Sequence, residues 1–446
     1  MRIINLSILI KIIGYFREFY QFGVKCLLCR EGATMKHFLI GLIFVSMFFT
    51  MTSGIAAQTD KHNFLVISDI HLDVASNHTM EISPTTHYYG NDLDNHSFEK
   101  LIKQIEQNIK TGLVAPPDFI VILGDISGHF RWSSTSVFDN EQAVFKRLKN
   151  TFPNTPIFYT FGNNDSLKEN YGSFYDTNRS GEVKSPYDLA KFSAGWLDGF
   201  LSTGTLCKDN KNSYPCIINE DIISGFYSAY LKSKFRFISL NSVMFSPARK
   251  GTTEQDALDQ INWLGEELKT AELNQESVLI AMHVPPGFNI YNHANFWLPK
   301  EQDLFLKLIK KYQSSIVGML ASHTHGEELK IIKDEAQKNI AGIYFVSALS
   351  TSHGNEPSVK TFSFFKENDL WVLANYETFH FSLAGSTLLF SKLYDYLSYY
   401  CSNHETKLFQ CLANVTAEKM DKYFAAGNKH YKGGKINSPD DLFISA

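Results

Sequence analysis

The chain has 446 residues, 44% of them apolar and 20% charged, so it can bury a large core and is neither disordered nor low-complexity. A formal net charge of −4 leaves no basic footprint, which sets aside nucleic acid as the main partner. The 14% aromatic content suits core filling first and the lining of a groove second. In chain order, residues 1–34 are semi-apolar, interrupted by Lys11, Arg17 and Lys25, and read as an upstream extension that a misplaced start codon would explain. Residues 35–57 open on Met35-Lys36-His37, continue as the apolar run from Phe38 to Phe49 and end on Ala56-Ala57, the layout of a secretory signal. The run is shorter than the ~20 apolar residues of a membrane span, and an uncleaved anchor is the alternative. Cys207, Cys216, Cys401 and Cys411 fall into two local pairs, as disulfides of an exported protein do, with buried free thiols as the alternative. The expected location is secreted, periplasmic or lumenal.

From residue 60 onward, short apolar runs at 64–68, 119–123, 157–160, 235–240, 278–282, 316–320 and 343–347 are continuous rather than alternating, the pattern of strands buried on both faces. Amphipathic helices lie between them. The clearest carries Phe98, Leu101, Ile102, Ile105 and Ile109 on one stripe, with Ser97 as N-cap and Gly112 just past its end. Two more are expected at 256–273 and 300–312. This alternation predicts an α/β fold with covered sheets. Segments 370–374 and 378–382 read as closing strands. From 387 to 424 the chain reads as helical, because Leu388, Leu389, Leu393, Tyr396 and Leu397 share a face. The expected organisation is a catalytic domain over 60–385 and a helical C-terminal region over 386–446.

Five polar clusters each follow an apolar run: Ser68-Asp69-Ile70-His71, Gly124-Asp125, Gly162-Asn163-Asn164-Asp165, Met282-His283-Val284-Pro285-Pro286-Gly287 and Ser322-His323-Thr324-His325. The first three are also ordinary turn chemistry, and His283 alone suits a core histidine. Two imidazoles flanking one residue, as in His323-Thr324-His325, rarely serve packing. Chemistry in open α/β sheets gathers beyond the carboxyl ends of strands, where all five lie. Together they offer carboxylates, imidazoles and an amide without cysteine, a donor set for two borderline-hard divalent ions sharing a carboxylate.

The order D-x-H, G-D, G-N-x-D, H and H-x-H resembles the calcineurin-like metallophosphoesterases. The His283-Val284-Pro285-Pro286-Gly287 run, His129 four residues after Asp125, the stretch from Tyr89-Gly90 to Asp94, and Gly354 to Lys360 are similar to the acid sphingomyelinase-like branch. The resemblance implies a four-layer sandwich of two central mixed β-sheets flanked by helices, with a small helical C-terminal appendage. It implies one ion on Asp69, His71 and His325, a second on Asn163, His283 and His323, and Asp125 bridging them. Zinc suits this set, with iron or manganese as alternatives. A metal-bridging hydroxide would then attack phosphorus in line.

Two departures bear on the chemistry. Asn164 stands where the family usually has histidine, and an amide can hydrogen-bond a phosphoryl oxygen but cannot protonate a leaving alkoxide. His129 is the candidate substitute acid, which makes Asn164 and His129 the two expected catalytic positions. Ser322 replaces the usual glycine, and a minor difference is Leu93 where relatives tend to have a disulfide cysteine. The expected activity is hydrolysis of phosphodiester or pyrophosphate bonds in a small-molecule phosphoester: a nucleotide, a choline phosphodiester or polyphosphate. A membrane lipid is compatible but less favoured. The alternatives are an endopolyphosphatase, because those enzymes also carry a Gly-Asn-Asn-Asp block, and a non-catalytic binder of a phosphate ligand.

Overall fold

The computed structural model describes residues 60–76, 92–129, 134–209, 213–382, 388–402, 405–426 and 441–446. The segments read as upstream extension and signal, and the Tyr89-Gly90 motif, lie outside the described residues. In chain order the elements are β1 (His62–Ile67), α1 (Asn95–Thr111), β2 (Phe119–Ile122), α2 (Ser134–Thr151), β3 (Ile157–Tyr159), α3 (Pro186–Ala194), β4 (Thr205–Leu206), β5 (Cys216–Asp221), β6 (Phe226–Lys232), β7 (Phe235–Ser239) and α4 (Glu254–Leu273). They continue with β8 (Ser277–Ala281), α5 (Pro299–Lys311), β9 (Ile316–Ala321), β10 (Leu329–Lys333), β11 (Asn339–Phe345), β12 (Ser358–Glu367), β13 (Leu370–Ser382), β14 (Leu389–Asp395), α6 (Tyr396–Tyr400), α7 (Ala417–Ala426) and β15 (Phe443–Ser445).

The strands form two mixed sheets, ordered β14-β13-β12-β1-β2-β3 and β15-β10-β11-β9-β8-β7-β6-β5-β4. Every residue of β2 and β8 is buried, as continuous Phe-Ile-Val-Ile and Ser-Val-Leu-Ile-Ala runs require. Aromatic rings fill the space between the sheets: Phe158 lies 5.2 Å from Phe237, Phe364 5.3 Å from Phe235, and Tyr344 6.2 Å from Phe362. With helices outside the sheets, the architecture is the expected α/β sandwich. In the first sheet β1, β2 and β3 are parallel neighbours, and in the second β8 and β9 are. All five polar clusters therefore emerge from the carboxyl ends of adjacent strands, which brings them together in space.

Three expectations change. The cap of α1 is Asp94, whose side chain accepts from the Ser97 backbone N–H, so Ser97 is the third helical residue and buried. Gly112 does end that helix, in the left-handed conformation at φ +81°. The two short closing strands are one continuous strand, β13. The helical stripe from Leu388 to Leu397 is largely strand: β14 pairs antiparallel with β13, burying Phe390 and Tyr394 while Leu389 faces outward. The aromatic residues on the even positions decide the period, since Phe390 stacks on Phe379 at 5.4 Å and meets Phe381 edge to face at 4.8 Å. Further on, α6 and α7 are helical, but β15 joins the second sheet beside β10. The C-terminal region thus contributes a strand to each sheet. Cys207–Cys216 and Cys401–Cys411 are both disulfide-bonded.

Candidate metal centre

The clusters occupy turns of unusual backbone shape. Asp69, His71, Asp125, His323 and His325 all have positive φ, at 46°, 44°, 51°, 77° and 64°. Non-glycine residues in this region are uncommon and cost free energy, and they persist where the surroundings over-determine them, typically at functional sites. Here the surroundings are hydrogen bonds between neighbouring turns: Asp69 N–H donates to Gly124 O, His71 N–H to Asp125 O, and Ser350 N–H, from the loop before β12, to Asp69 O. The close approach also explains Gly162, where a Cβ would lie 2.3 Å from the Asp125 nitrogen.

Seven side chains converge. Asp125 Oδ2 lies 3.2 Å from His283 Nε2 and 3.7 Å from His71 Nε2, between the two halves of the site. On one side Asp69 Oδ1 is 3.4 Å from His325 Nε2 and 3.8 Å from His71 Nε2. On the other, His283 Nε2 is 3.2 Å from Asn163 Oδ1 and 3.3 Å from His323 Nδ1. Each of these groups could hold a cation. Asp69 Oδ1 is fully buried without a hydrogen-bond partner, and the Nε2 atoms of His71 and His325 face each other at 3.0 Å. A buried carboxylate oxygen with no donor and two opposed imidazole nitrogens fit a positive ion between them. The donor set suits two divalent ions.

Outer contacts fix which ring nitrogen points inward. His71 Nδ1 donates to Ser127 O (3.1 Å) and His283 Nδ1 to Leu123 O (2.6 Å), while His325 Nδ1 lies 3.1 Å from Ser352 Oγ. His323 is reversed, with Nε2 3.3 Å from the Tyr171 hydroxyl and Nδ1 directed inward. Ser322, in the family's glycine position, adds a second donor to Leu123 O. Asn164 clamps Asp125 through its backbone N–H to Oδ1 and its Nδ2 to Oδ2, both at 2.8 Å. Asp165 holds the same turn from behind, accepting from the N–H groups of Asp125, Ile126 and Gly162 and from the Tyr159 hydroxyl. Leu93 is buried and donates its N–H to His71 O, so backbone pairing ties its segment to the site.

Burial opposes charge on every group here, and the pairing decides which keep it. For Asp125 the imidazoles of His283, His71 and His323 outweigh burial and hold the carboxyl well below its usual range. Burial would neutralise His283, but Asp125 and Asp69 raise it to about 9. His71 is raised against burial by Asp69, Asp125 and Asp92. His323 falls to about 4 through burial and the neighbouring His283, and His325 is lowered through burial and His353, His71 and His129. Asp165 rises to about 6 through burial and repulsion from Asp125.

Cations must displace the proton on His283, which gives a pH signature. Its folded-state value of about 9 lies above the ordinary 6.5, so its stabilisation is fully present below pH 6.5 and fades as pH rises through 9. The thermal midpoint of metal-free protein should fall between pH 6.5 and 9. The gain on adding zinc should grow over the same window. Thermal melts in chelator and in zinc measure both, and a zinc gain independent of pH would contradict the assignment.

A cleft of about 270 Å³ opens over these groups. Asn163, Asn164, His323 and His325 reach it, with Tyr171, Tyr291 and Phe296 as aromatic walls and Asn170 and Asn289 as amides. His129 stands at its edge, stacked on His71 at 3.9 Å, with Nδ1 2.9 Å from Asp92 Oδ1. Despite burial, the hydrogen bond from His129 keeps Asp92 ionised below the usual carboxylate range. Asp92, 37 residues upstream, lies in the stretch from Tyr89 to Asp94 that the sequence marks without giving it a role, and His353, which lines the cleft from the loop before β12, has no sequence signal.

Residues 62–327, more than half of the chain, match the family described as calcineurin-like phosphoesterase. The chain belongs to that family. As a calcineurin-like phosphoesterase it is a metal-dependent phosphoric ester hydrolase, which removes the non-catalytic reading. Among its relatives, sphingomyelinase phosphodiesterase D of Dictyostelium discoideum is 25% identical over 403 residues, 81% of this chain and 85% of that protein. The cyclic GMP-AMP phosphodiesterase SMPDL3A of Rattus norvegicus is 24% identical over 338 residues, 70% of this chain and 69% of that one. Among solved structures, a dimetal phosphatase from Danio rerio aligns with 71% of this calcineurin-like phosphoesterase and 95% of its own chain, at 12% identity and a TM-score of 0.42.

Proposed function

We propose that this phosphoesterase is an exported enzyme that cleaves phosphodiester or phosphoanhydride bonds in small soluble substrates such as nucleotides and choline phosphodiesters. Asp69, His71 and His325 would hold one divalent ion and Asn163, His283 and His323 a second, with Asp125 shared between the two sites. The observation that carries this reading is the place of Asp125 Oδ2 between His283 Nε2 and His71 Nε2, at 3.2 and 3.7 Å, with His129 stacked on His71 beside it. Imidazole-rich ligation favours zinc, and the two disulfides favour an oxidising compartment. Relatives named as a sphingomyelinase phosphodiesterase and a cyclic GMP-AMP phosphodiesterase support phosphodiester cleavage.

When bound, the two ions supply Lewis-acid stabilisation of phosphoryl charge and activate a water. The chain's own residues do the rest. Asn164 and the Asp165-braced turn fix Asp125, so its carboxylate does not reorganise as charge develops. His129 donates Nδ1–H to Asp92, which leaves its other nitrogen to hold a proton for the leaving oxygen. Tyr171, Tyr291 and Phe296 line the cleft and give it the aromatic surface that suits a base or an alkyl ammonium. Asn164 turns its amide onto Asp125, so the residue that suggested polyphosphate hydrolysis serves the bridging carboxylate.

The test is turnover of a substrate panel by protein reconstituted with zinc, manganese or iron. The panel is bis(p-nitrophenyl) phosphate, ATP, CDP-choline, sphingomyelin vesicles and polyphosphate. Two metal equivalents per chain and turnover of the first three are expected. Release of short chains from polyphosphate by an enzyme idle on the others would replace this reading with the endopolyphosphatase one.

A further inference from the structure

His353 belongs to none of the five clusters, yet it faces the same cleft as the reacting groups. Its ring centroid lies 4.1 Å from that of His325, 5.8 Å from that of His129 and 6.3 Å from that of Tyr291. The loop that carries it is built into the site. Leu349 N–H donates to Ser68 O and Ser350 N–H to Asp69 O, at 2.9 and 3.1 Å. On the far side Gly354 turns the chain at φ +85°, and Asn355 Nδ2 donates to Ser350 O at 2.7 Å. Ser352 Oγ contacts His325 Nδ1 at 3.1 Å, so the residue before His353 orients the ring on which His353 packs. His353 is exposed to the cleft on its remaining side.

Two imidazoles therefore border the cleft side by side. Asp92 orients His129; His353 has no carboxylate partner among the described residues. N–H···O bonds of about 2.9 Å from rings 5.8 Å apart can converge on neighbouring oxygens of one group. If one is the leaving oxygen held by His129, an oxygen carried by the next atom of the leaving group is within reach of the other ring. We infer that His353 is a specificity-determining residue that donates a hydrogen bond to a second oxygen of the leaving group, favouring leaving groups that carry a further phosphoryl or hydroxyl oxygen over bare aryl ones. The inference rests on the phosphoester reading and on His129 as the acid.

The test compares kcat/KM for ATP, whose leaving group bears phosphoryl oxygens next to the scissile one, with that for thymidine 5′-(p-nitrophenyl phosphate), whose aryl leaving group has oxygens only in the distant para nitro group. His353→Phe keeps the packing on His325 and loses the donor; His353→Asn keeps a donor and loses the ring. The ATP-to-aryl ratio should fall about tenfold in His353→Phe, the effect of one lost hydrogen bond to a charged group, and stay near wild type in His353→Asn. Using a ratio cancels any shared loss from disturbed metal loading. An unchanged ratio in His353→Phe, or wild-type protein that cleaves the aryl ester and not ATP, overturns the role of His353. Wild-type protein that cleaves neither overturns the phosphoester reading beneath it.

Discussion

Replacing Asp125 by Asn should lower kcat/KM on bis(p-nitrophenyl) phosphate by on the order of 10³ or more, because phosphoryl stabilisation by bound cations is worth several kcal/mol and each 1.36 kcal/mol is tenfold. The replaced oxygen lies between His283 Nε2 and His71 Nε2, one from each half of the site. An amide there is neutral, and its NH₂ has no lone pair to offer a cation. Metal analysis should show less than two equivalents per chain under conditions that saturate wild type. The metal-free variant should also show a weaker pH dependence of the melt, since Asp125 is the carboxylate that most raises His283. A variant that keeps two equivalents and activity within tenfold of wild type would remove Asp125 from the bridging role.

The ligand candidates were legible because each sits at a strand end, and strand ends are marked by apolar runs that stop abruptly. The runs ending at Ile67, Ile122, Tyr159, Ala281 and Ala321 fixed where the polar residues would gather. The left-handed backbone at Asp69, His71, Asp125, His323 and His325 was not legible, since nothing in those residue types demands it; it arises where neighbouring turns hydrogen-bond to one another. His353 was invisible for a related reason. It follows no apolar run directly, and only the closure of β12 onto β1 brings its loop to the Asp69 turn. Around 388–397 the same leucines suit a helical stripe or a strand, and contacts of Phe390 with β13 decide between them. Asn164 illustrates a finer limit. Its chemistry excludes proton donation, but only the structure shows its amide turned onto Asp125.

If Asn164 is a clamp, proton delivery falls to His129, and the loss on removing it should depend on what leaves. His129→Ala should cost about 10²–10⁴ in kcat/KM on substrates with alkoxide leaving groups, the usual range for a general acid, and far less on p-nitrophenyl esters, whose leaving group departs without help. A series of phenyl and alkyl esters should therefore show a steeper dependence on leaving-group pKa in the variant. Asp92→Asn separates orientation from donation. Its amide can still meet Nδ1 but cannot stabilise the charged ring, so it should fall between wild type and His129→Ala on alkyl esters. Phosphate leaving groups need little protonation, so His129→Ala should retain more activity on ATP than on alkyl phosphodiesters. A uniform loss across the series would mean that His129 supports His71 by stacking, at 3.9 Å between centroids, and that the proton comes from elsewhere. The slope of the series thus discriminates two roles that the same imidazole, in the same place, could fill.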